Sequence, residues 1–474
     1  MNQQPIKWLA LGLCILTVLA TVACNPAEDP KETTTPKEEV TTDVYGDFDP
    51  GIAVKNYKKD FNIVNNGLKE EWMLVSEDEQ LGVLEQAVYE RGVKVEDHLG
   101  VQLNVLDAGS WTEYSSNVQK SVMAGDDDYH MVMTHTYQGI TDLITSNSLY
   151  DIGELDSVNL DAPYWNSDMM EDIKIGDQYL LGYNDVSLAS THIFVFNKDI
   201  MEEYNITPPY QMVRDKKWTL ETMMQMASLV HKDNGDQIRD TQDTYGLAGY
   251  AWTYYISFVT SSDMKIVDRD ADGLYKIAYN NNSEKMNNLI DTLTALYTAE
   301  YAFLWPPHTT ATVDFKDGTS MFYFYDTAQL VNLRDADMEW GVLPYPLYDA
   351  RQKEYRSLNW NGVMVVPASI ADPDMVGDVL EMMAYYTAPV KTAYMEDLLG
   401  TQLANAPEDA EMLNIIWDSQ VSDVGIVTCN CHKSMDELVY MVPKMCGSGK
   451  NIFSSYLRRY TTSAQKALDN VFDQ

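Results

Sequence analysis

An alternation of strands and helices near the start of the folded region limits the fold more than any other feature of this sequence. Apolar runs at 71–76, 101–106 and 129–134 have the length and composition of β-strands. The segments between them carry apolar residues at helical spacing. A β-α-β-α-β order predicts a parallel sheet with helices on both faces, so we expect an α/β fold.

Ligands of such sheets bind just beyond the carboxyl ends of the strands. In this sequence those positions hold Glu77 after the first predicted strand, Trp111 and Tyr114 after the second, and His135 and Tyr137 after the third. Aromatic walls with a few polar groups are typical of small-molecule pockets. We therefore predict that these five residues bind a ligand.

The net charge excludes some classes of partner. The chain has 72 acidic and 33 basic residues, which gives a formal net charge of −39. Nucleic acids and anionic membrane surfaces repel such a polyanion, so we expect no nucleic-acid partner. A length of 474 residues is too great for one ordinary core and predicts two domains.

Residues 1–24 have the pattern of a bacterial lipoprotein signal peptide. Lys7 precedes a short apolar run that is too short to span a bilayer, and the run ends in small residues before Cys24. Cys24 would become the lipidated first residue of the mature protein, and an ordinary secretory signal is the alternative. Residues 25–67 are rich in Pro, Thr and Glu, which predicts a disordered tether. The predicted location is extracytoplasmic, with the protein lipid-anchored to the outer face of the cell membrane.

The stretch from Gly176 to Pro209 predicts a passage from one α/β lobe to another. Small polar residues, among them Asp185, lead into the apolar strand 192–196, and Asn197-Lys198-Asp199 then opens a helix. Asp185 is polar and lies beside this passage, so we include it among the ligand-binding candidates; turn capping is the alternative.

Six phrases occur in a fixed order over about 77–425: FNKDIMEEYNI, KWTLETMMQMA, DFKDGTSMF, WGVLPYPLYD, VMVVPASIADPDMVGDVLE and AEMLNIIWDSQVSDVG. Together they resemble the solute-binding proteins of bacterial ABC importers, in the maltose-binding-like branch. The resemblance implies a two-lobe periplasmic-binding-protein-like fold of type II, with three hinge crossovers and a ligand cleft between the lobes. It also implies a sugar or oligosaccharide ligand and ABC permease subunits as partners. We expect a monomer that uses no cofactor.

The sequence offers three places for the crossovers, near 189–191, near Tyr325 and near 362–364. The expected lobe boundaries follow from them: 68–189 and 326–362 for the first lobe, and 190–325 and 363–474 for the second.

The residue types agree with a sugar ligand. A pyranose has an apolar C–H face that packs on aromatic rings, and its hydroxyls need polar partners. The chain has 10 Trp and 31 Tyr, and aromatic residues recur where predicted strands end. Core packing or turn capping remains the alternative for each candidate. The further predicted ligand-binding residues are Trp252, Tyr254, Tyr325, Asp326, Trp360 and Asn361.

Common enzyme motifs are absent from the sequence. It contains neither G-x-S-x-G nor H-E-x-x-H, and the run 447–451 lacks the earlier Gly of a P-loop. The run 268–273 begins like a calcium loop, but Tyr279 stands where the bidentate acid should be, so we predict a hairpin turn and no metal site. We therefore expect no catalysis. A glycan-active enzyme or adhesin on the same fold, or a binding protein for a peptide or another polar solute, remains an alternative.

Three cysteines lie in the folded region, at Cys429, Cys431 and Cys446. In an exported protein we expect a disulfide from Cys446 to one of the other two. A zinc site with His432 and three reduced thiols are the alternatives.

Overall fold

The computed structural model describes residues 45–46, 48–66, 73–76, 82–110, 112–187, 190–306, 311–399 and 407–472. The predicted signal peptide with Cys24, and the first part of the predicted tether, lie outside these residues.

The described residues alternate between strands and helices along most of the chain. The strands are β1 (Lys59–Asn65), β2 (Val101–Leu106), β3 (Met131–His135), β4 (His192–Asn197), β5 (His231–Lys232), β6 (Thr244–Tyr250), β7 (Val267–Arg269), β8 (Tyr275–Ile277), β9 (Ala302–Trp305), β10 (Ser320–Asp326), β11 (Trp340–Leu343), β12 (Ser357–Leu358), β13 (Asn361–Val365) and β14 (Gln420–Val421). The α-helices are α1 (Val83–Leu99), α2 (Tyr114–Ala124), α3 (Ile140–Thr145), α4 (Ser167–Asp172), α5 (Lys198–Glu203), α6 (Tyr210–Arg214), α7 (Leu220–Ala227), α8 (Thr253–Ser261), α9 (Ser283–Tyr297), α10 (Pro373–Tyr385), α11 (Ala388–Leu399), α12 (Pro407–Asp418), α13 (Val424–Val427), α14 (Lys433–Val439), α15 (Met441–Ser448) and α16 (Phe453–Val471).

The first sheet has the strand order β13-β3-β1-β2. Strand β1 is parallel to both β2 and β3, while β13 is antiparallel to β3. The predicted parallel β-α-β-α-β unit is therefore confirmed. Its first strand is β1, however, and not the predicted 71–76. The predicted tether of 25–67 also extended too far, because Phe61 and Ile63 are fully buried in the core of this sheet.

The second sheet has the order β11-β4-β10-β6-β5, and β9 also pairs with β6. Strand β4 is the predicted apolar strand, and every residue in it is buried between the antiparallel strands β10 and β11. Asn197 caps the following helix as expected: its side chain accepts a hydrogen bond of 2.9 Å from the backbone N–H of Ile200.

The chain first passes between the sheets where the sequence indicates. Gly182 pairs with Met364 beside the first sheet, and His192 begins β4 in the second. A later passage leads from β11 to β13, close to the predicted crossover at 362–364.

The sheet order alone gives no passage near Tyr325, because the strands on both sides of it, β10 and β11, belong to the second sheet. The crossover at this point stays a prediction. The chain turns there through a 3-10 helix, Thr327–Leu333, which Asp326 caps. The expected division at 326–362 and 363–474 is not followed. Strand β11 lies in the second sheet, whereas β13 lies in the first and α10 and α11 pack on α1.

The run 268–273 forms the turn between the antiparallel strands β7 and β8, as predicted. The Asp270 carboxylate accepts hydrogen bonds of 3.0 Å from the backbone N–H groups of Asp272 and Leu274. A turn residue that caps its own loop explains this acidic run without an ion.

Cys429, Cys431 and Cys446 are free thiols, so the expected disulfide is not formed. Cys429 and Cys431 lie in a single turn of 3-10 helix. Cys446 lies in α15 and faces Thr294, whose hydroxyl donates to its Sγ at 3.6 Å. Cys446 thus lies on a different element from the other two cysteines, and its thiol faces α9.

Among the helices that the structure describes, none has the length and apolarity needed to cross a membrane.

Candidate functional site

The ends of several strands meet where the chain passes between the two sheets. Thr191 pairs with Asn359, and the backbone N–H of Trp360 donates to the Ser190 carbonyl at 2.8 Å. Asn361 then opens β13 opposite His135, the last residue of β3. Residues from both sheets are therefore held next to one another at this point.

Four aromatic side chains form a continuous series here, which we call the aromatic row: Tyr137, Trp360, His192 and Tyr254. The centroids of Tyr137 and Trp360 are 5.3 Å apart. His192 stacks on Trp360 at 5.3 Å and 20°, and Tyr254 lies 4.3 Å from His192. Tyr137 follows β3 of the first sheet, and His192 begins β4 of the second, so the row connects the two sheets.

Strand β10 supports the far end of the row. Phe324 stacks on Tyr254 with centroids 5.9 Å apart and ring planes at 11°. Asp326, two residues further on the same face of β10, accepts a hydrogen bond of 3.1 Å from the Tyr254 hydroxyl. The same carboxylate accepts from the backbone N–H of Gln329 at 3.1 Å, so it holds both the turn and the tyrosine in place.

A second aromatic pair comes from the carboxyl end of β6 and from the C-terminal helices. Trp252 stacks on Tyr440 at 4.9 Å and 16°. The Lys444 ammonium lies 5.9 Å from the Trp252 ring centroid and 5.8 Å from that of Tyr440. Asn430, from the turn before α14, donates to the Tyr137 carbonyl at 3.2 Å. The C-terminal region therefore contacts both the row and this pair.

Burial shifts the pKa values of the titratable groups in and beside the row towards their neutral forms. It lowers the pKa of His192 to about 3, and the imidazole is held by a 2.7 Å hydrogen bond between Nδ1 and the Ser257 hydroxyl. The pKa of Tyr254 is raised well above its usual value by burial and by the neighbouring Asp326 carboxylate. Burial also raises the pKa of Asp326. Uncharged rings with hydrogen-bonding edges suit a neutral, hydroxyl-bearing ligand.

Half-buried members supply the accessible surface of this site. Trp360 is only 7% exposed, because Tyr137 and His192 cover it, whereas Tyr137, Trp252 and Tyr254 are half-buried. Trp360 therefore supports the row from within, and the rings of Tyr137, Trp252 and Tyr254 offer surface to a ligand.

The structure brings together six of the residues predicted from the sequence: His135, Tyr137, Trp252, Tyr254, Asp326 and Trp360. His135 lies 6.0 Å from Tyr137, between ring centroids. Glu77 and Trp111 lie outside the described residues.

Three other predicted residues lie away from the row. Tyr114 is fully buried and its hydroxyl donates to the Gln138 carbonyl, so it supports the turn after β3 from within the core. Asp185 is ion-paired with Lys391 at 2.9 Å. Tyr325 points to the opposite face of β10 from Asp326, where it lies beside Tyr323.

The sequence analysis missed His192 and Tyr440. His192 is the one polar residue of an otherwise apolar run before Asn197 and directly follows the passage between lobes. That position was a usable signal. Nothing in the local sequence marks Tyr440, whose place depends on how the C-terminal helices pack.

A large cavity of about 970 Å³ lies elsewhere, along α1 and the β2 edge of the first sheet. Its lining includes no member of the aromatic row, so we do not assign the ligand site to it.

Comparison with known proteins places these features in a family. The family model described as "Bacterial extracellular solute-binding protein" matches residues 94–412. No curated protein matches the sequence.

Solved structures share the fold at low sequence identity. A cyclic α-maltosyl-1,6-maltose binding protein from Arthrobacter globiformis has a TM-score of 0.58 and 11% identity, with 87% of this chain and 99% of that chain covered. The GacH receptor of Streptomyces glaucescens, solved unliganded and with acarbose, has a TM-score of 0.57 and 11% identity, with 87% of this chain and 98% of that chain covered. An ABC substrate-binding protein from Listeria monocytogenes in complex with cycloalternan has a TM-score of 0.55 and 13% identity, with 88% of this chain and 97% of that chain covered.

Proposed function

The chain belongs to the bacterial extracellular solute-binding proteins, and from this premise we propose that it captures a carbohydrate between its two lobes for an ABC importer. An oligosaccharide is the ligand class we favour. The protein binds and releases this ligand without chemical change.

The observation that carries the proposal is the aromatic row. Tyr137 follows β3 of the first sheet, whereas Tyr254 lies at the start of α8, just after β6 of the second sheet. Trp360 and His192 join them, with ring centroids 4.3–5.3 Å apart along the row. A pyranose that packs its C–H face on the half-buried rings would contact both lobes at once. Contacts with both lobes favour the closed state, because a ligand shifts a conformational equilibrium only by binding one state better than the other.

The ligands of the structural neighbours support the same class. The three proteins named above are described with cycloalternan, cyclic maltosyl-maltose and acarbose. At 11–13% identity they share only the fold with this chain, so the choice of carbohydrate rests on the row.

A lipid anchor would keep the protein close to its permease. We propose that Cys24 carries a lipid anchor after cleavage between Ala23 and Cys24, and that the segment from Asn25 is the tether. Cell fractionation checks this part: Cys24→Ser should move the protein from the membrane fraction to the medium, and an unchanged distribution would contradict it.

Thermal unfolding of the protein from Asn25 onwards, against a panel of mono- and oligosaccharides, tests the ligand class. A ligand at a hundredfold excess over its Kd stabilises the native state by about 2.7 kcal/mol, which raises the Tm measurably. Peptides and polyamines serve as controls. A shift with a peptide and with no carbohydrate would overturn the carbohydrate assignment and favour the second candidate, a binding protein for another polar solute. Turnover of the bound glycan would instead identify an enzyme.

A further inference from the structure

A second cavity, of about 250 Å³, lies behind the strands that join the two sheets. Alternate residues of a strand face opposite sides. Trp360 and His192 face the aromatic row, whereas their neighbours Asn359 and Thr191 face the other way. Asn359 lines the cavity, and so does Gln420, whose amide donates to the Thr191 hydroxyl at 2.6 Å. The cavity and the row therefore lie on opposite faces of the passage between the sheets.

Three polar atoms of residues that line this cavity have no hydrogen-bond partner: the N–H donors Asn184 Nδ2 and Trp417 Nε1, and the Ser187 hydroxyl, which can donate or accept. Asn184 is 6% exposed and Ser187 is 5% exposed. The Asn184 amide is oriented by its oxygen, which accepts a 3.1 Å hydrogen bond from the Val186 backbone N–H. Buried polar groups in native proteins are almost always satisfied, so three unpartnered groups at one cavity indicate a site for a partner molecule.

The chemistry of the wall selects the kind of molecule. Amide and indole N–H groups donate only, so they need acceptor atoms, which a bare cation does not offer them. The lining contains one positively charged residue, Lys391, and three negatively charged residues, Asp168, Asp185 and Asp418. Lys391 is already paired with Asp185 at 2.9 Å. This excess of negative charge disfavours an anion. A neutral molecule with acceptor oxygens fits both conditions.

The size of the cavity and its aromatic wall limit further which neutral molecules could bind there. Taking about 30 Å³ for each water in the liquid, the cavity has the volume of roughly eight water molecules. Its wall includes Trp165, Tyr183 and Trp417, which offer apolar ring surface next to the donors. We propose that this cavity is a second binding site, for a neutral polyol no larger than a monosaccharide. The site is independent of the carbohydrate site at the aromatic row.

The indole N–H of Trp417 provides a direct readout. In a proton–nitrogen correlation spectrum of the 15N-labelled protein from Asn25, the missing peak in Trp417→Phe identifies this group. Titration with glycerol, xylitol and myo-inositol should shift the Trp417 peak saturably. Sodium acetate and ethylammonium chloride, as an anion and a cation of small size, should not.

Variants separate this site from the row. Asn184→Leu should abolish the shift, since it removes the donor and puts an apolar side chain in its place. Ser187→Ala, a milder change, should weaken binding roughly threefold to tenfold, the usual loss for one hydrogen bond. Tyr137→Ala alters the row and should leave the shift unchanged.

Three results would overturn the proposal: no saturable shift with any polyol, a shift with acetate or ethylammonium instead, or a shift that survives Asn184→Leu but disappears in Tyr137→Ala. Because carbohydrate binding at the row is measured separately by thermal unfolding, its failure would leave this test unaffected.

Discussion

Replacing Lys198 by Met should destabilise the protein strongly, because it leaves the buried Asp409 carboxylate without its counter-ion. Asp409, in α12, has a side chain that is 1% exposed and lies 2.7 Å from the Lys198 ammonium of α5. It also accepts from the Tyr210 hydroxyl at 2.6 Å and from the Val342 backbone N–H at 2.9 Å. This carboxylate therefore ties α12 to α5, α6 and β11.

The size of the effect follows from burial. Removing one partner of a buried ion pair costs about 3–5 kcal/mol, because the other charge stays buried and uncompensated. The double variant Lys198→Met/Asp409→Asn removes both charges and keeps an acceptor oxygen, so it should be less damaging than Lys198→Met alone.

The pH dependence has a definite sign. Burial raises the pKa of Asp409 in the folded protein, and the Lys198 charge opposes that rise. Without Lys198, the folded-state pKa moves further above the unfolded value of about 3.9. A carboxyl group with a raised folded-state pKa destabilises the native state as pH rises through that value. The deficit of Lys198→Met should therefore be small near pH 4 and grow with pH, by up to about 1.4 kcal/mol per unit.

Urea unfolding between about pH 4 and pH 7 measures this deficit directly. Lys232→Met is the matched control, because Lys232 and its partner Glu203 are both more than half exposed and 3.7 Å apart, so little should change. A deficit for Lys198→Met that equals the control, or that stays constant across this pH range, would refute the reasoning.

Three further predictions test the packing. Tyr45→Phe should cost about 1.5–3 kcal/mol of unfolding free energy, because the Tyr45 hydroxyl donates to the Asp185 carboxylate at 2.5 Å; an unchanged Tm would mean that this N-terminal residue does not dock. Gly246→Ala should lower the free energy of unfolding by at least about 3 kcal/mol, since a Cβ would lie 1.9 Å from the Ala227 carbonyl oxygen. Gly447→Ala is the control and should be tolerated, because no neighbour lies closer than 3.8 Å to its Cβ. Equal Tm values for the two variants would contradict the packing of β6 on α7. In the protein from Asn25 onwards, a thiol reagent should detect three thiols in denaturant without reductant, and a single thiol would indicate a disulfide. The folded protein should react slowly, because burial raises the pKa of Cys431 to about 11 and of Cys446 to about 12.

The parts of the fold that the sequence predicts well are those with strong local signals. Within strand β4, the residues from Ile193 to Phe196 are an uninterrupted apolar run that leads into an Asn cap, and the burial of both faces follows from that pattern. The turn at 268–273 follows from Asp and Gly chemistry alone. Strand β1 was missed because its apolar residues stand among polar ones next to a long polar segment, and only pairing with β2 and β3 reveals it.

The candidate site could be predicted only in part, for two physical reasons. Residues next to each other on a strand face opposite sides, so Tyr325 and Asp326 cannot both face the row, and this alternation could have separated them. The meeting of Trp252 with Tyr440 depends on how distant helices pack, which no local pattern records.

The most direct test of the account is a calorimetric titration of the protein from Asn25 onwards with the oligosaccharide that most raises its Tm. The account predicts saturable binding that Tyr137→Ala and Trp252→Ala each weaken at least tenfold, about 1.4 kcal/mol, because each removes a half-buried ring of the site. Tyr204→Ala, at a half-buried tyrosine at the end of α5, should bind like the unaltered protein. Binding that is equal in all of these variants, or that is absent for every carbohydrate while a peptide binds, would contradict the assignment of the aromatic row as a carbohydrate site.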